Sequence, residues 1–266
     1  MQIIKAKENL SEYFKKRAIN IEKILSIPPE QYGKEEYHKL RVEIKKIHAI
    51  LDLLNYCQTD FQKNKYFKPF KEIFIQSGKI RELQLEESVL EKYNTRKIEN
   101  VLLKVKKEIN KEKRNFCLLI QKKQKIKIEK KIDKIVLHLE EIPDDKVNEY
   151  IEMEKKNINN LIRESPLVAS NLHELRKTLK RNFYSRESLN MRDKNKKIKE
   201  DNFQELIGNW HDSKIMSDLI ERSIIKKKIN TEELKQLLQI DEELNVHRRL
   251  LYNEINNTVM TNDIFE

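Results

Sequence analysis

Only eight of the 266 residues, three glycines and five prolines, are of the types that turn a chain sharply. A sandwich, a barrel or a doubly wound sheet needs such residues between successive short strands, so all-β and α/β folds are excluded and an all-α fold is expected. The apolar residues support this: Leu40, Ile44, Ile47, Leu51 and Leu54 recur at three and four residues, the spacing of one helix face. Proline removes an amide donor and disfavours helix in the residue before it, so Pro28 and Pro29 should end a first helix spanning 3–25, and Pro143 should close a long charged region. Pro69 and Pro166 fall where helices begin, with Ser165 as an N-cap. Further helices are predicted near 66–76, 79–92, 95–140, 145–163, 167–190, 200–207, 210–227 and 231–258. Apolar residues make up 38% and charged residues 37%, so several helices with broad wet faces are expected in place of one large core.

No apolar run approaches the ~18 residues of a membrane span, and residues 1–10 show no apolar signal core. Cys57 and Cys117 have neither disulfide-framework nor zinc spacing. A soluble, cytoplasmic protein without metal or cofactor is expected. The net charge of +11 at pH 7 overstates the signal, because alanine is scarce and Lys, Ile and Asn abundant, as a biased base composition would produce. The informative residues are those that depart from this background.

Two segments repeat in type and spacing. Tyr37-His38-Lys39-Leu40-Arg41-Val42-Glu43-Ile44-Lys45-Lys46 and Leu172-His173-Glu174-Leu175-Arg176-Lys177-Thr178-Leu179-Lys180-Arg181 both read H-x-L-R-x-x-[IL]-K-[KR]. Each is followed by a glycine motif, Gly78-Lys79-Ile80-Arg81-Glu82 and Gly208-Asn209-Trp210-His211-Asp212. The pattern predicts a duplicated helical unit, 1–142 and 143–266, with its seam near Pro143. The two glycines are expected to be structural, between helices, and Trp210 to be core.

At about 100° per residue, His38, Arg41 and Lys45 form one narrow stripe that flanks the apolar face of their helix, and His173, Arg176 and Lys180 repeat it. A single basic run is ordinarily a solvated face with its stems over apolar surface. A stripe made twice at the edge of a core reads as the wall of a groove between two bundles. Arginine is the telling residue: the chain has many more Lys than Arg, yet both stripes keep Arg three residues after the His. Guanidinium binds phosphate oxygens through a planar fork of donors and is less costly to desolvate than ammonium. The neighbouring His adds a donor whose charge responds to pH. Arg81 and His211 occupy matching places in the glycine motifs and are expected to aim donors at the same anion, with Glu82 and Asp212 orienting basic neighbours.

These residues resemble the conserved-histidine α-helical domain, the CHAD family, whose pattern is H-x-x-R-x-x-x-[KR]-[KR]-x-R in each half with a later L-G-x-x-R-D. The resemblance spans residues 5–258. It implies two four-helix bundles related by pseudo-two-fold symmetry, a basic central pore, and binding of inorganic polyphosphate without catalysis. It carries His38, Arg41, Lys45 and Lys46 from one half, His173, Arg176, Lys180 and Arg181 from the other, and Arg81 and His211 at the second motif. Where the pattern ends in Arg this chain has His48 and Phe183; His48 is retained as a candidate ligand, and Tyr184 beside Phe183 offers a hydroxyl or packing. Glu82 replaces the Asp.

Catalysis is not expected: no acidic pair at metal-ligand spacing, no P-loop and no coupled Ser or Cys nucleophile accompanies the stripes. The alternatives are a nucleic-acid or other generic polyanion binder, although no aromatics interleave the stripe to stack bases, and a scaffold accessory to a phosphate-processing enzyme. Association with polyphosphate granules belongs to the main reading. The remaining basic runs, Lys104 to Arg114 and Lys122 to Lys131, should be solvated faces built on i,i+4 pairs, with extension of an anion track as the other possibility. Lys194 to Lys199 should be a loop, and His138 and His247 incidental.

Overall fold

The computed structural model describes residues 6–93, 96–120, 122–163, 167–191, 194–226 and 229–261. Among them are nine α-helices, two short 3-10 turns and no strand, so the all-α expectation holds. The helices are α1 (Ala6–Ser26), α2 (Lys34–Cys57), α3 (Lys63–Lys92), α4 (Glu99–Leu119), α5 (Lys122–Glu140), α6 (Asp144–Arg163), α7 (Ala169–Ser188), α8 (Lys194–Lys226) and α9 (Thr231–Met260), with 3-10 turns at Pro29–Gln31 and Arg96–Ile98. Cys57 and Cys117 are free thiols. No helix of the described residues is long and apolar enough to cross a membrane. The expected cap at Ser165 and Pro166 lies outside the described residues.

Five features of the helix boundaries differ from the sequence expectation. Gly78 and Gly208 lie inside α3 and α8, and each joins two predicted helices into one; a lone glycine costs a helix only about 0.5–1 kcal/mol, which packing of the flanking apolar residues exceeds. Lys194 to Lys199 therefore opens α8 and is not a loop. The predicted helix 95–140 is two helices, α4 and α5, which part without any Gly or Pro to mark the break. Pro69 lies within α3 and not at its start; Gln124 Nε2 donates to its carbonyl at 3.0 Å and to Glu72 at 2.9 Å, which ties the start of α5 to α3.

The chain forms two compact units that do not coincide with 1–142 and 143–266. The first comprises Met1–Gly78, Asn115–Glu164 and Lys177–Lys194, the second Lys79–Arg114, Ser165–Arg176 and Asn195–Glu266. The repeated motif marks similar helices, whereas the units follow which apolar faces meet, and each unit takes segments from both halves.

In the first unit α1 packs on α2, α5 and α6 through Leu10, Phe14, Ala18, Ile21 and Leu25, all buried. Burying a side chain of this size stabilises by roughly 1.5–3 kcal/mol, so this face decides the register of α1. Tyr32, Tyr37 and Phe116 close a triangle of rings with centroids 5.2–5.6 Å apart. Asn190, in the left-handed region with φ 56°, terminates α7, and its amide nitrogen donates to Asn9 Oδ1 of α1 at 3.2 Å. The second unit is built on Val89, Leu90, Ile98, Val101, Val105, Ile109, Ile220, Leu237 and Ile240. Asn230 caps α9: its Oδ1 accepts from Glu233 N at 2.9 Å, and Glu233 Oε2 accepts from Asn230 N at 2.7 Å.

Candidate functional site

α2 positions the first stripe. Burial of Tyr37, Leu40, Ile44, Ile47 and Leu51 sets its rotation and leaves Arg41, Lys45, Lys46 and His48 half-buried at the rim, with His38 exposed. Arg41 lies against α3. Its Nη1 donates to the Phe74 carbonyl at 2.6 Å, and its guanidinium carbon sits 4.1 Å from the Phe74 ring centroid. A Cβ at position 78 would stand 2.4 Å from Arg41 Nη1. Gly78 is thus no turn; it makes room for a guanidinium laid on the helix, and none of the described glycines has positive φ.

The rest of the stripe in the first unit is tied to carboxylates. Lys46 Nζ is 3.6 Å from Glu187 Oε2 and 5.9 Å from the centroid of the Tyr184 ring, so Tyr184 serves the cation with its face. Glu187 also accepts from the Tyr13 hydroxyl at 2.6 Å; burial first, and then this bond, push the Tyr13 phenol far above its ordinary value. His48 does not replace the expected Arg as a cation. Its ring packs 4.4 Å from that of Phe67 and its Nδ1 lies 3.5 Å from Asp52 Oδ2. Burial lowers its pKa below 6.5, and Lys63, Lys71 and Arg181 reinforce this against the opposing pull of Asp52, so the imidazole is neutral at pH 7. Asp52 is shared with Lys63. Phe183 stands edge-on to Tyr184 with centroids 5.5 Å apart, and Lys180 Nζ is 5.7 Å from its centroid.

α7 carries the second stripe along one continuous helix: His173 and Arg176 belong to the second unit, Lys180 and Arg181 to the first. Leu172, Leu175 and Leu179 are buried, and the four basic side chains are half-buried beside them. Arg181 is forked onto Glu154, Nε to Oε2 at 2.7 Å and Nη2 to Oε1 at 3.0 Å. Burial acts against its charge, but Glu154, itself only 2% exposed, outweighs that and raises the guanidinium above its usual pKa. Its charge is therefore matched within the fold, unlike the role expected for it. In the second unit His173 and His211 are brought together, rings 5.2 Å apart and tilted by 39°. Arg81 is half-buried on α3. Glu82 lies in a 360 Å³ pocket with Glu86, Glu108 and Glu112, beside Lys79 and Arg222. Trp210 is core, 3% exposed.

Sequence reasoning did not find Phe74, Glu154 or Glu187. Arg41 and Phe74 are 33 residues apart and Arg181 and Glu154 27, and no motif marks such a pairing. The same holds for Arg17 on α1, whose Nε is 3.3 Å from Glu43 Oε2. Glu43 sits within the motif yet serves α1. No group of three or more His, Cys, Asp or Glu among the described residues is placed to hold a metal ion.

Comparison with known proteins places this architecture. A search of curated proteins finds no match. Among solved structures, the CHAD domain from the plant Ricinus communis superposes with a TM-score of 0.76 at 13% identity, over 96% of this chain and 91% of the other. PptA from Streptomyces chartreusis superposes with a TM-score of 0.71 at 11% identity, over 96% of this chain and 99% of the other. At such identity these likenesses establish the fold. The CHAD domain family model matches residues 28–221, which takes in both stripes and both glycine motifs, and the chain belongs to that family.

Proposed function

We propose that this chain binds inorganic polyphosphate, or a closely similar linear polyanion, through the half-buried cations of α2 and α7, and does not turn it over. The observation that carries this reading is the placement of Arg41. Its guanidinium is held by a carbonyl and a ring of Phe74 over a glycine that leaves it space. A cation fixed in advance loses little freedom when an anion arrives, and preorganised donors bind more tightly than freely rotating ones. Arg176, Lys180 and His173 supply further donors on α7, and His211 stands beside His173.

The chemistry of the donors favours binding over reaction. Guanidinium, ammonium and imidazole groups hold phosphate oxygens, and three carboxylates of the first unit are engaged within the fold: Glu43 with Arg17, Glu154 with Arg181, Glu187 with Lys46 and Tyr13. The test is titration of polyphosphate and of single-stranded RNA of matched charge at two salt concentrations. Polyphosphate should bind more tightly, with log affinity falling linearly in log salt. Arg41→Glu with Arg176→Glu should weaken it by about 100-fold or more, since each removes a charge-assisted contact worth roughly 1.5–3 kcal/mol, while the helical signal stays. Equal affinity for RNA would show generic electrostatics, and release of orthophosphate would show an enzyme.

A further inference from the structure

The last cation of each stripe meets a carboxylate, but the two contacts differ in kind. Arg181 is forked onto both oxygens of Glu154, at 2.7 and 3.0 Å. Lys46 Nζ stops 3.6 Å from Glu187 Oε2, an ion pair too long for a hydrogen bond. The reason lies on α1. The Tyr13 hydroxyl donates to the same Oε2 at 2.6 Å, so the oxygen that Lys46 faces is already taken by a closer donor.

Within the first unit, α1 is built to hold that hydroxyl in place. Asn9, Tyr13 and Arg17 recur every fourth residue and share one side of the helix. They adjoin Leu10, Phe14 and Ala18, whose burial fixes its rotation. Asn9 Nδ2 donates to the Leu189 carbonyl at 3.3 Å, and Asn190 Nδ2 donates to Asn9 Oδ1 at 3.2 Å, which pins the end of α7, and Glu187 with it, to α1. The Arg17 guanidinium lies 4.8 Å from the centroid of the Tyr13 ring and is anchored on Glu43, Nε to Oε2 at 3.3 Å. The phenol, pushed far above its ordinary pKa by burial and then by its bond to Glu187, is a permanent donor. None of these three α1 residues belongs to the repeated motif.

We infer that Tyr13 is a positioning residue for the anion site: it holds the Glu187 carboxylate back from Lys46 and leaves that ammonium open to a phosphate oxygen, a role that rests on the polyphosphate reading. The geometry supplies both the competition and its direction. One carboxylate oxygen serves two donors, and the shorter bond goes to the hydroxyl. The Lys46 side chain is 15% exposed, beside the Tyr184 ring, and that of Glu187 is 29% exposed, so the carboxylate is the member freer to move. Leaving a partly buried acceptor without its donor is costly. Without the phenol, Glu187 would close on Lys46 as Glu154 closes on Arg181.

The experiment is a double-mutant cycle, read by calorimetric titration of inorganic polyphosphate at one salt concentration, with circular dichroism to verify folding. Tyr13→Phe removes only the hydroxyl and should weaken binding about three- to five-fold, the scale of one partly exposed ion pair. In a Lys46→Gln or a Glu187→Gln background the same substitution should have no effect. An equal loss in every background would make Tyr13 a buttress of the fold and overturn the inference. Unchanged or tighter binding by Tyr13→Phe in the natural background would overturn it too, while leaving the stripe reading intact. A natural chain that binds polyphosphate no better than the Arg41→Glu, Arg176→Glu variant refutes the stripe reading and the role of Tyr13 together.

Discussion

Gly78 and Gly208 hold matching places behind the two histidine stripes, yet their surroundings differ. A methyl group at Gly78 would collide with the Arg41 guanidinium at 2.4 Å, whereas one at Gly208 would meet nothing within 4 Å. Equivalent motifs thus serve unequal packing: in one half the glycine admits a cation to the surface of a helix, in the other it leaves space. The cations differ along a stripe more than between the halves. Arg41 is laid on Phe74, whereas the last cation of each stripe meets a carboxylate, Lys46 with Glu187 and Arg181 with Glu154. A motif read as a list of anion ligands therefore includes groups that hold the fold, as Arg181 does with Glu154.

The largest effect should come from the Arg181 pair. Glu154→Gln leaves a partly buried guanidinium without its counter-charge and should destabilise by about 3 kcal/mol, read from denaturant unfolding. Replacing both partners by Leu should recover most of that loss. If Glu154→Gln changes stability little, Arg181 returns to the set of anion ligands.

The glycine contrast predicts opposite signs. Gly78→Ala should cost about 1 kcal/mol net, because the helix gain of about 0.5–1 kcal/mol is outweighed by loss of the charge-assisted bond from Arg41 to Phe74; polyphosphate affinity should fall with it. Gly208→Ala should stabilise by about 0.5–1 kcal/mol and leave affinity unchanged. Equal responses at the two positions would remove the asymmetry.

The smallest effect concerns His48 and Phe183, which stand where the family pattern has Arg. Folding lowers the His48 pKa from 6.5 through burial, so the unfolded chain binds more protons just below that pH. The His48 contribution is therefore complete above pH 6.5 and declines as pH falls toward the folded value. Unfolding midpoints measured from neutral to mildly acid pH should show this slope, and His48→Gln should reduce it. Phe183 has nothing to titrate, so Phe183→Leu should leave the slope as it is.

The low count of turn residues and the three-and-four spacing of apolar side chains were enough to establish an all-α chain, because backbone hydrogen bonding without turns leaves little else. The stripes were legible for the same reason: residues on one helix face are related by fixed local spacing. Helix junctions were less so. Gly78 and Gly208 looked like breaks, and the parting of α4 from α5 bore no mark, since the cost of one glycine is small beside the packing of its neighbours. What the tertiary structure alone decided is partnership across distance. Which group a cation meets, the Glu154 carboxylate for Arg181 or the Phe74 ring and carbonyl for Arg41, depends on residues about thirty positions away, brought near by the burial of apolar faces that carry no charge themselves.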